Sequence, residues 1–388
     1  MKYYLAGGAV RSLLLGELPH DLDFVFSGSG QDFLALNPSA RKLGENAIYE
    51  LNNCEYAPLG PSIKNNLQER DFTINSFLLE NNGILHMHPN ALSDLRSCTI
   101  APASDTSLQD DPLRIFRAAR FCASYPEFTP STECLQSMRS AAKTTAFTLI
   151  AAERVGRECL KALQGQKPGN FLRILEQGNA LEYWFEELAG SGQIPAGPPQ
   201  YHNSDVLEHI ARIMDGSSKE LDNWAKSENT LTEEAIAELR TVTVWMSLCH
   251  DLGKVSTPSE ILPHHYLHEV RGMQAALDLA DRLRLSSRLR AAGLLSAKLH
   301  MKAGIYSKLR PSTRVDLLME AHTRDLIIPL FLVAQADSGL SGLLNTAMAE
   351  LKHILKIKLP PKWENKGKDS GRQLREMRCN ALARMPKP

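Results

Sequence analysis

The chain has 388 residues, with 44 basic against 44 acidic side chains and an apolar share of 43%. That is ordinary for a globular protein of two to four domains, and the zero net charge says nothing about partners. Seven scattered cysteines (Cys54, Cys98, Cys122, Cys134, Cys159, Cys249 and Cys379), none in a Cys-x-x-Cys pair, argue against a disulfide scaffold or a zinc ribbon and for reduced thiols.

The start MKYYLAGGAV looks like a signal peptide, but Arg11 interrupts the apolar run and an amphipathic segment follows. No window approaches a membrane span. A cytoplasmic protein with no membrane partner and no obligate protein partner is expected. Residues 1 to about 100 mix short strand-like runs with turns: YYLAG, DLDFVF, AIYELNNCEYA, TINSFLLE and GILHMHP, punctuated by NNG and SGSG. In HDLDFVF, His20 to Phe26, a strand would project Asp21 and Asp23 to one side. Two like charges so close raise each other's pKa, and a hard divalent cation such as magnesium relieves them. On those seven residues alone, two solvated acids on a surface strand is the simpler reading.

From about residue 108 the pattern turns helical. DDPLRIFRAARFCASY places Leu113, Phe116 and Ala119 on one face, and Arg114, Arg117 and Arg120 at three-residue steps. Helices are expected through RVGRECLKALQ and NFLRILEQGNALEYWFEEL. The Gly- and Pro-rich stretch at 189–200 reads as a boundary, and a second helical block begins near residue 204. Residues 352–388 hold eleven basic side chains against Glu364, Asp369 and Glu376, which suits a localised anionic partner or a solvated end. The fold class is α+β: a small mixed α/β head on a long helical body.

Gly7 and Gly8 follow a strand and open a helical pattern, so backbone N–H groups can approach a phosphate that Arg11 also reaches. Gly-Gly, twelve residues, then Asp-apolar-Asp-apolar resembles the nucleotidyltransferase superfamily of polymerase β-like enzymes. ERDFTINSF at 69–77, DDPLRIFRAARF at 110–121 and AAERVGREC at 151–159 follow in order. Together they look like the motifs of class II tRNA nucleotidyltransferases, the CCA-adding enzymes, and of related bacterial poly(A) polymerases.

The resemblance implies catalytic Asp21 and Asp23 holding magnesium, and nucleotide binding by Gly8, Arg11, Arg70, Arg114 and Arg117. It implies that Asp71 and Asn75 read the ribose, with Arg120 an ion-pair partner. Its partners would be tRNA, CTP and ATP. The family's protein template, Glu-Asp-x-x-Arg, maps onto Glu153 and Arg157, although Arg154 stands where the aspartate is expected. A helix-surface Glu–Arg pair is an equal alternative there. Only thirteen residues, Ala57 to Glu69, separate CEYA from Arg70. The family has a longer basic loop here that assists the switch from C to A, so CC-only addition is one alternative product.

SLCHDLGK brings His250 and Asp251 together, with His202, His209, His264, His265, His268 and His300 around them in sequence. This resembles the HD phosphohydrolase superfamily and implies a transition-metal site of His209, His250, Asp251, His268 and His300, with phosphatase or 2′,3′-cyclic phosphodiesterase activity. Met301 stands where relatives have an aspartate after the last histidine. KGKDSGRQLREMRCNALAR at 366–384 resembles the family's tail, where Gly371 would open a basic helix with Arg372, Arg375 and Arg378 facing RNA phosphates. The implied sections are a nucleotidyltransferase head at 1–107, a nucleotide-recognition neck at 108–190, an HD-type domain at 204–310 and a tRNA-binding tail at 311–388. A poly(A) polymerase, an HD phosphohydrolase with an inactive head and a non-catalytic RNA-binding protein are the rival readings.

Overall fold

The computed structural model describes every residue except His20, Glu45, Asn46, Tyr201, His202, Asn229 and residues 386–388. His202, one of the histidines expected around His250 and Asp251, therefore lies outside the described residues. The chain divides into two compact units. The first comprises Met1–Cys122, Pro126–Ile150 and Gln177–Ala180, and the second holds Ala123–Tyr125, Ala151–Glu176 and the chain from Leu181 onward. The α+β expectation holds, with a small mixed sheet in the first unit and helices through the second.

Among the described residues, seven strands form one sheet: β1 Tyr3–Ala6, β2 Asp23–Phe26, β3 Arg41–Leu43, β4 Ile48–Leu51, β5 Cys54–Pro58, β6 Phe77–Glu80 and β7 Leu85–Met87. Their order is β3-β4-β5-β2-β1-β6-β7, antiparallel except for β2 against β5. Strand alternation packs both faces. Tyr4, Ala6, Val25, Leu67 and Leu78 form one cluster, and Phe26, Phe33 and Tyr49 another. Phe26 and Phe33 stack with ring centroids 4.4 Å apart and no solvent exposure. Full burial of such a side chain stabilises by about 1.5–3 kcal/mol. The β4–β5 hairpin turns on Asn52 and Asn53, both at positive φ (53° and 61°). That pair of left-handed residues makes a tight turn matching the twist of the strands, and asparagine tolerates it.

Three local expectations shift. Strand β2 begins at Asp23, so Asp21 sits in the preceding bend. TINSFLLE is strand only over Phe77–Glu80, because Thr73–Asn75 is a buried 3₁₀ turn folded around the Asp71 side chain. The helix expected from DDPLRIFRAARF starts at Arg114 and runs to Ser124.

The second unit is helical. Val206–Ala225, Glu233–Cys249 and Ser287–Gly304 start at Asp205, Thr232 and Ser286, each of whose side chains accepts a backbone N–H of the first turn. Ile327–Ser338 is buried almost throughout its first two turns, as a helix apolar on all sides must be. Its 12 residues are too few to span a bilayer. Among the described residues, no helix is long and apolar enough to cross a membrane. The Gly- and Pro-rich stretch at 189–200 lies wholly inside this unit, where Ala196 is buried and its carbonyl accepts from Lys254 Nζ at 2.9 Å. The long helix expected over NFLRILEQGNALEYWFEEL stops at Gln177 before Asn179, which has a φ of 49°. In the tail, the helix is Lys368–Ala383, so Gly371 lies inside it and Gly367 (φ 56°) precedes it.

Candidate active site and metal centre

In the first unit, Asp21 and Asp23 are both exposed, and Asp23 opens β2. Asp23 lines a hollow of about 200 Å³ with Ala6, Glu55, Tyr56 and Arg70. Partial enclosure, then the charge of Asp21, push the Asp23 carboxyl above its usual value, while Arg70 and Arg117 pull it back. Asp21 and Asp23 are near enough to disturb each other, and their hard carboxylate oxygens suit a divalent cation. Glu55 lies opposite Asp23 in the parallel β2–β5 register, but among the described residues the three carboxylates do not converge as one donor triad. Glu55 was not singled out in the sequence, where only the strand register brings it to Asp23.

A chain of side chains runs behind this hollow. Asp71 is 7% exposed. Its Oδ1 accepts the Phe72 N–H at 2.8 Å and the Asn75 amide at 2.9 Å, and its Oδ2 accepts Arg117 Nε and Nη2 at 2.9 and 2.6 Å. Burial alone would raise the Asp71 carboxyl, but the Arg117 charge and these hydrogen bonds override it and hold the group below the usual carboxylate range. Arg11 Nη1 donates to Asn75 Oδ1, and the Arg11 guanidinium lies 5.0 Å from the Phe121 ring centroid. Asp71 and Asn75, expected at the ribose, thus hold Arg117 and Arg11 in place. Arg120 lies over the Phe121 ring at 4.5 Å.

Arg70 donates to Asn66 Oδ1 at 3.0 Å, and burial draws its guanidinium below its ordinary value, though an arginine there stays charged. Gly7 has φ 63°, and a Cβ there would stand 2.7 Å from Arg70 Nη1, so only glycine permits this approach. Gly8 opens the helix Gly8–Leu14, beside the Arg11 guanidinium. Arg114 turns elsewhere: it donates to the carbonyls of Glu69 (2.6 Å), Arg70 (3.1 Å) and Ser107 (3.2 Å) and to Ser107 Oγ (2.7 Å). It pins the backbone that carries Arg70.

In the second unit, four helices and the turn that follows Glu233–Cys249 bring His209, His250, Asp251, His268 and His300 together. The Nδ1 atoms of His250, His268 and His300 each face a backbone carbonyl, of Ser247, His265 and Ser296, which leaves every Nε2 at the centre. Asp251 Oδ2 lies 3.0 Å from His209 Nε2 and 3.2 Å from His250 Nε2, and Oδ1 lies 3.2 and 3.4 Å from those of His268 and His300. Lys254 Nζ is 2.7 Å from Oδ2.

Burial alone would raise the Asp251 carboxyl, but Lys254 and the imidazoles hold it well below the usual range. Its buried Oδ1 has no hydrogen-bond partner, and two pairs of Nε2 atoms approach to 3.3 Å. Lone pairs converging on an orphaned carboxylate oxygen fit a transition-metal ion, and the two overlapping donor triads share Asp251. His265 stays outside, bonded to Thr257 and the Pro195 carbonyl, and His264 is exposed.

The multifunctional CCA protein of Pasteurella multocida is 30% identical over 344 residues, which cover 82% of this chain and 78% of that protein. The chain belongs to the multifunctional CCA protein family. The family member of Acinetobacter baylyi is 28% identical over 429 residues, covering 100% of this chain and 98% of its own. A family model described as the probable RNA and SrmB-binding site of polymerase A matches residues 127–191. Two solved structures share the fold. A CCA-adding enzyme in complex with ATP has a TM-score of 0.68 at 19% identity, over 98% of this chain and 86% of the other. The Thermotoga maritima CCA-adding enzyme complexed with tRNA has a TM-score of 0.64 at 19% identity, over 100% and 88%.

Within this CCA-family chain, Glu153 and Arg157 lie one turn apart and exposed on the helix Ala152–Leu163, which belongs to the second unit. Asp337 is the residue the sequence concealed. It sits in the helix Ile327–Ser338, its Oδ1 is 3.4 Å from His209 Nε2, and contact with the imidazoles holds it below the usual carboxylate range against the effect of burial. An aspartate was expected directly after His300, where Met301 stands half exposed. A carboxylate arrives instead from the next helix but one, and no spacing in the sequence signals it.

Proposed function

We propose that this chain is a tRNA nucleotidyltransferase that adds CCA to the tRNA 3′ end from CTP and ATP, in the cytoplasm and without a nucleic-acid template. The observation that carries this reading is Asp23 lining a hollow with Arg70, its carboxyl also feeling the charges of Asp21 and of Arg117, which Asp71 holds in place. Asp21 and Asp23 would hold magnesium, which supplies charge neutralisation for the triphosphate and the attacking 3′-hydroxyl. Arg70, half-buried and close to Gly7, offers a positioned cation for phosphate. Gly8, Arg11 and Arg117 complete the nucleotide-facing set, and Arg114 acts through the backbone of Arg70. Catalysis then rests on positioning and on charges already fixed in the hollow. Glu153 and Arg157 are the template candidates, and the sections at 1–107, 108–190, 204–310 and 311–388 are the working divisions of the reaction. Incubating the protein with tRNA lacking CCA and single labelled nucleotides tests this. CMP and then AMP incorporation is expected; a homopolymer of A would favour a poly(A) polymerase, and no incorporation would overturn the reading.

A second activity is favoured by the orphaned Asp251 Oδ1 among converging imidazoles. His209, His250, Asp251, His268 and His300, with Asp337, would hold a transition metal that supplies an activated water for phosphoester hydrolysis. Lys254 keeps Asp251 ionised and ready to bind it. Metal titration of the whole chain, read by calorimetry, tests this; absence of tight binding would sink it.

A further inference from the structure

Resting on the reading of Arg70 as a nucleotide-binding cation, we infer that Asn66 is its positioning residue: the Asn66 carboxamide aims the guanidinium at the phosphates of CTP and ATP alike. Arg70 lines the hollow beside Asp23, yet its surroundings give the guanidinium little to hold. Its Nε is buried and has no hydrogen-bond partner. Its Nη1 passes over Gly7, which has no side chain to fix it. The adjacent Asp71 carboxylate is spent on the Phe72 N–H, Asn75 and Arg117. Among the described residues, the one hydrogen bond of the Arg70 side chain runs from Nη2 to Asn66 Oδ1, at 3.0 Å. A guanidinium carries five N–H donors, so this single partner orients the group and leaves the other donors for a ligand.

Asn66 is itself fixed from the other side. It lies in the helix Ile63–Gln68, and Arg70 follows four residues on, a spacing at which helical side chains meet. Asn66 Nδ2 donates to the Leu59 carbonyl at 3.1 Å. A carbonyl accepts and cannot donate, so this bond sets which end of the amide turns toward Arg70. The Leu59 N–H in turn donates to the Phe26 carbonyl at 2.8 Å, at the end of the strand that Asp23 begins. Leu67, next to Asn66, is buried in one cluster with Val25 of that strand, and Leu59 and Ile63 pack against the cluster. One run of hydrogen bonds therefore connects the strand of Asp23 to the guanidinium of Arg70, with the Asn66 amide as its last link. The acid and the cation of the hollow share a frame, which a site that works by placing charge requires.

The full-length protein is assayed for CMP addition to tRNA lacking CCA and for AMP addition to tRNA ending in CC. Asn66→Ala, a change that a helix tolerates, removes the acceptor. Asn66→Asp keeps an oxygen for Arg70 and gives up only the donor to Leu59. Asn66→Ala should raise the KM for CTP and for ATP roughly tenfold with kcat within about twofold, as the loss of one hydrogen bond to a charged group implies. Asn66→Asp should stay within about twofold of wild type in KM. In an Arg70→Ala background, Asn66→Ala should cost nothing further, because its effect passes through Arg70. A wild-type KM in Asn66→Ala overturns the inference. Equal losses in Asn66→Ala and Asn66→Asp would make the tie to Leu59 the one that matters, and Asn66 would not position Arg70. An undiminished effect of Asn66→Ala in the Arg70→Ala background would overturn the inference in the same way. A rise confined to one nucleotide would place Arg70 at the base and overturn the phosphate assignment. If Arg70→Ala itself leaves KM unchanged, the reading of Arg70 as a nucleotide-binding cation fails and takes this inference with it.

Discussion

Asp71 and Arg117, 46 positions apart in sequence, meet through two hydrogen bonds to one carboxylate oxygen, at 2.9 and 2.6 Å. The other oxygen holds Asn75, and Asn75 receives Arg11. Arg117 and Arg11, two of the proposed nucleotide-binding side chains, therefore depend on one buried acid. Asp71→Ala should lower stability by about 1–3 kcal/mol, the range for losing hydrogen bonds to a charged group. It should also weaken nucleotide use by freeing Arg117 and Arg11. Thermal melts and the KM for CTP check both, and an unchanged KM would show that the arginines do not need this anchor.

The same residue sets a pH dependence. Its folded pKa lies below the unfolded value of about 3.9, so its stabilisation is complete above that value. It is lost as pH falls through the lower, folded pKa. Asp71→Asn should be less stable than wild type at pH 7, and the gap should close below about pH 3.9. Paired melts from pH 7 to pH 3 measure it; a gap that widens on acidification would contradict the assignment.

Asp21→Ala or Asp23→Ala should abolish nucleotide addition while leaving the melting temperature near that of wild type, because both acids are exposed and pack no core. The check is labelled CMP incorporation beside a melt. Substantial incorporation by either variant would remove the two-carboxylate assignment.

Gly7→Ala should move Arg70. The new Cβ would meet Arg70 Nη1 at 2.7 Å, and the φ of 63° is unfavourable for alanine by roughly 1–2 kcal/mol. A raised KM for CTP is expected with a modest loss of stability; wild-type kinetics would mean that Arg70 does not touch nucleotide.

His250→Ala and Asp251→Ala should remove metal-dependent phosphatase activity and leave CTP incorporation nearly intact, since the two sites lie in different compact units. Asp337→Asn should weaken metal binding at least about tenfold. Calorimetry with Ni²⁺ and a CTP incorporation assay read these, and a parallel fall in CTP incorporation would refute independent sites.

The interval from Ala57 to Glu69 is ordered: β5 runs to Pro58, Ser62 caps the helix Ile63–Gln68, and Asn66 holds both the Leu59 carbonyl and Arg70. A tRNA ending in CC, offered ATP alone, should still accept AMP, as expected of a multifunctional CCA protein. A product that stops at CC with ATP present would establish the CC-only alternative.

The sequence by itself determined the local things. Strand-like patterning marked β1, β2 and, as a single run, the segment AIYELNNCEYA, which the Asn52–Asn53 turn folds into β4 and β5. The order of motifs around Asp21, Arg70 and Arg114, and the adjacency of His250 and Asp251, carried the family. Tertiary structure decided what depends on partners distant in the chain. Arg114 and Arg117 stand one turn apart and look equivalent, yet one clamps backbone carbonyls at Glu69 and Arg70 while the other grips Asp71. Glu55 reaches Asp23 only through the β2–β5 register, and Asp337 reaches His209 only because its helix packs beside that of His209. A side chain's periodicity tells which face it occupies; its hydrogen-bond partners are set by which faces the fold brings into contact, and neighbouring residues do not encode that.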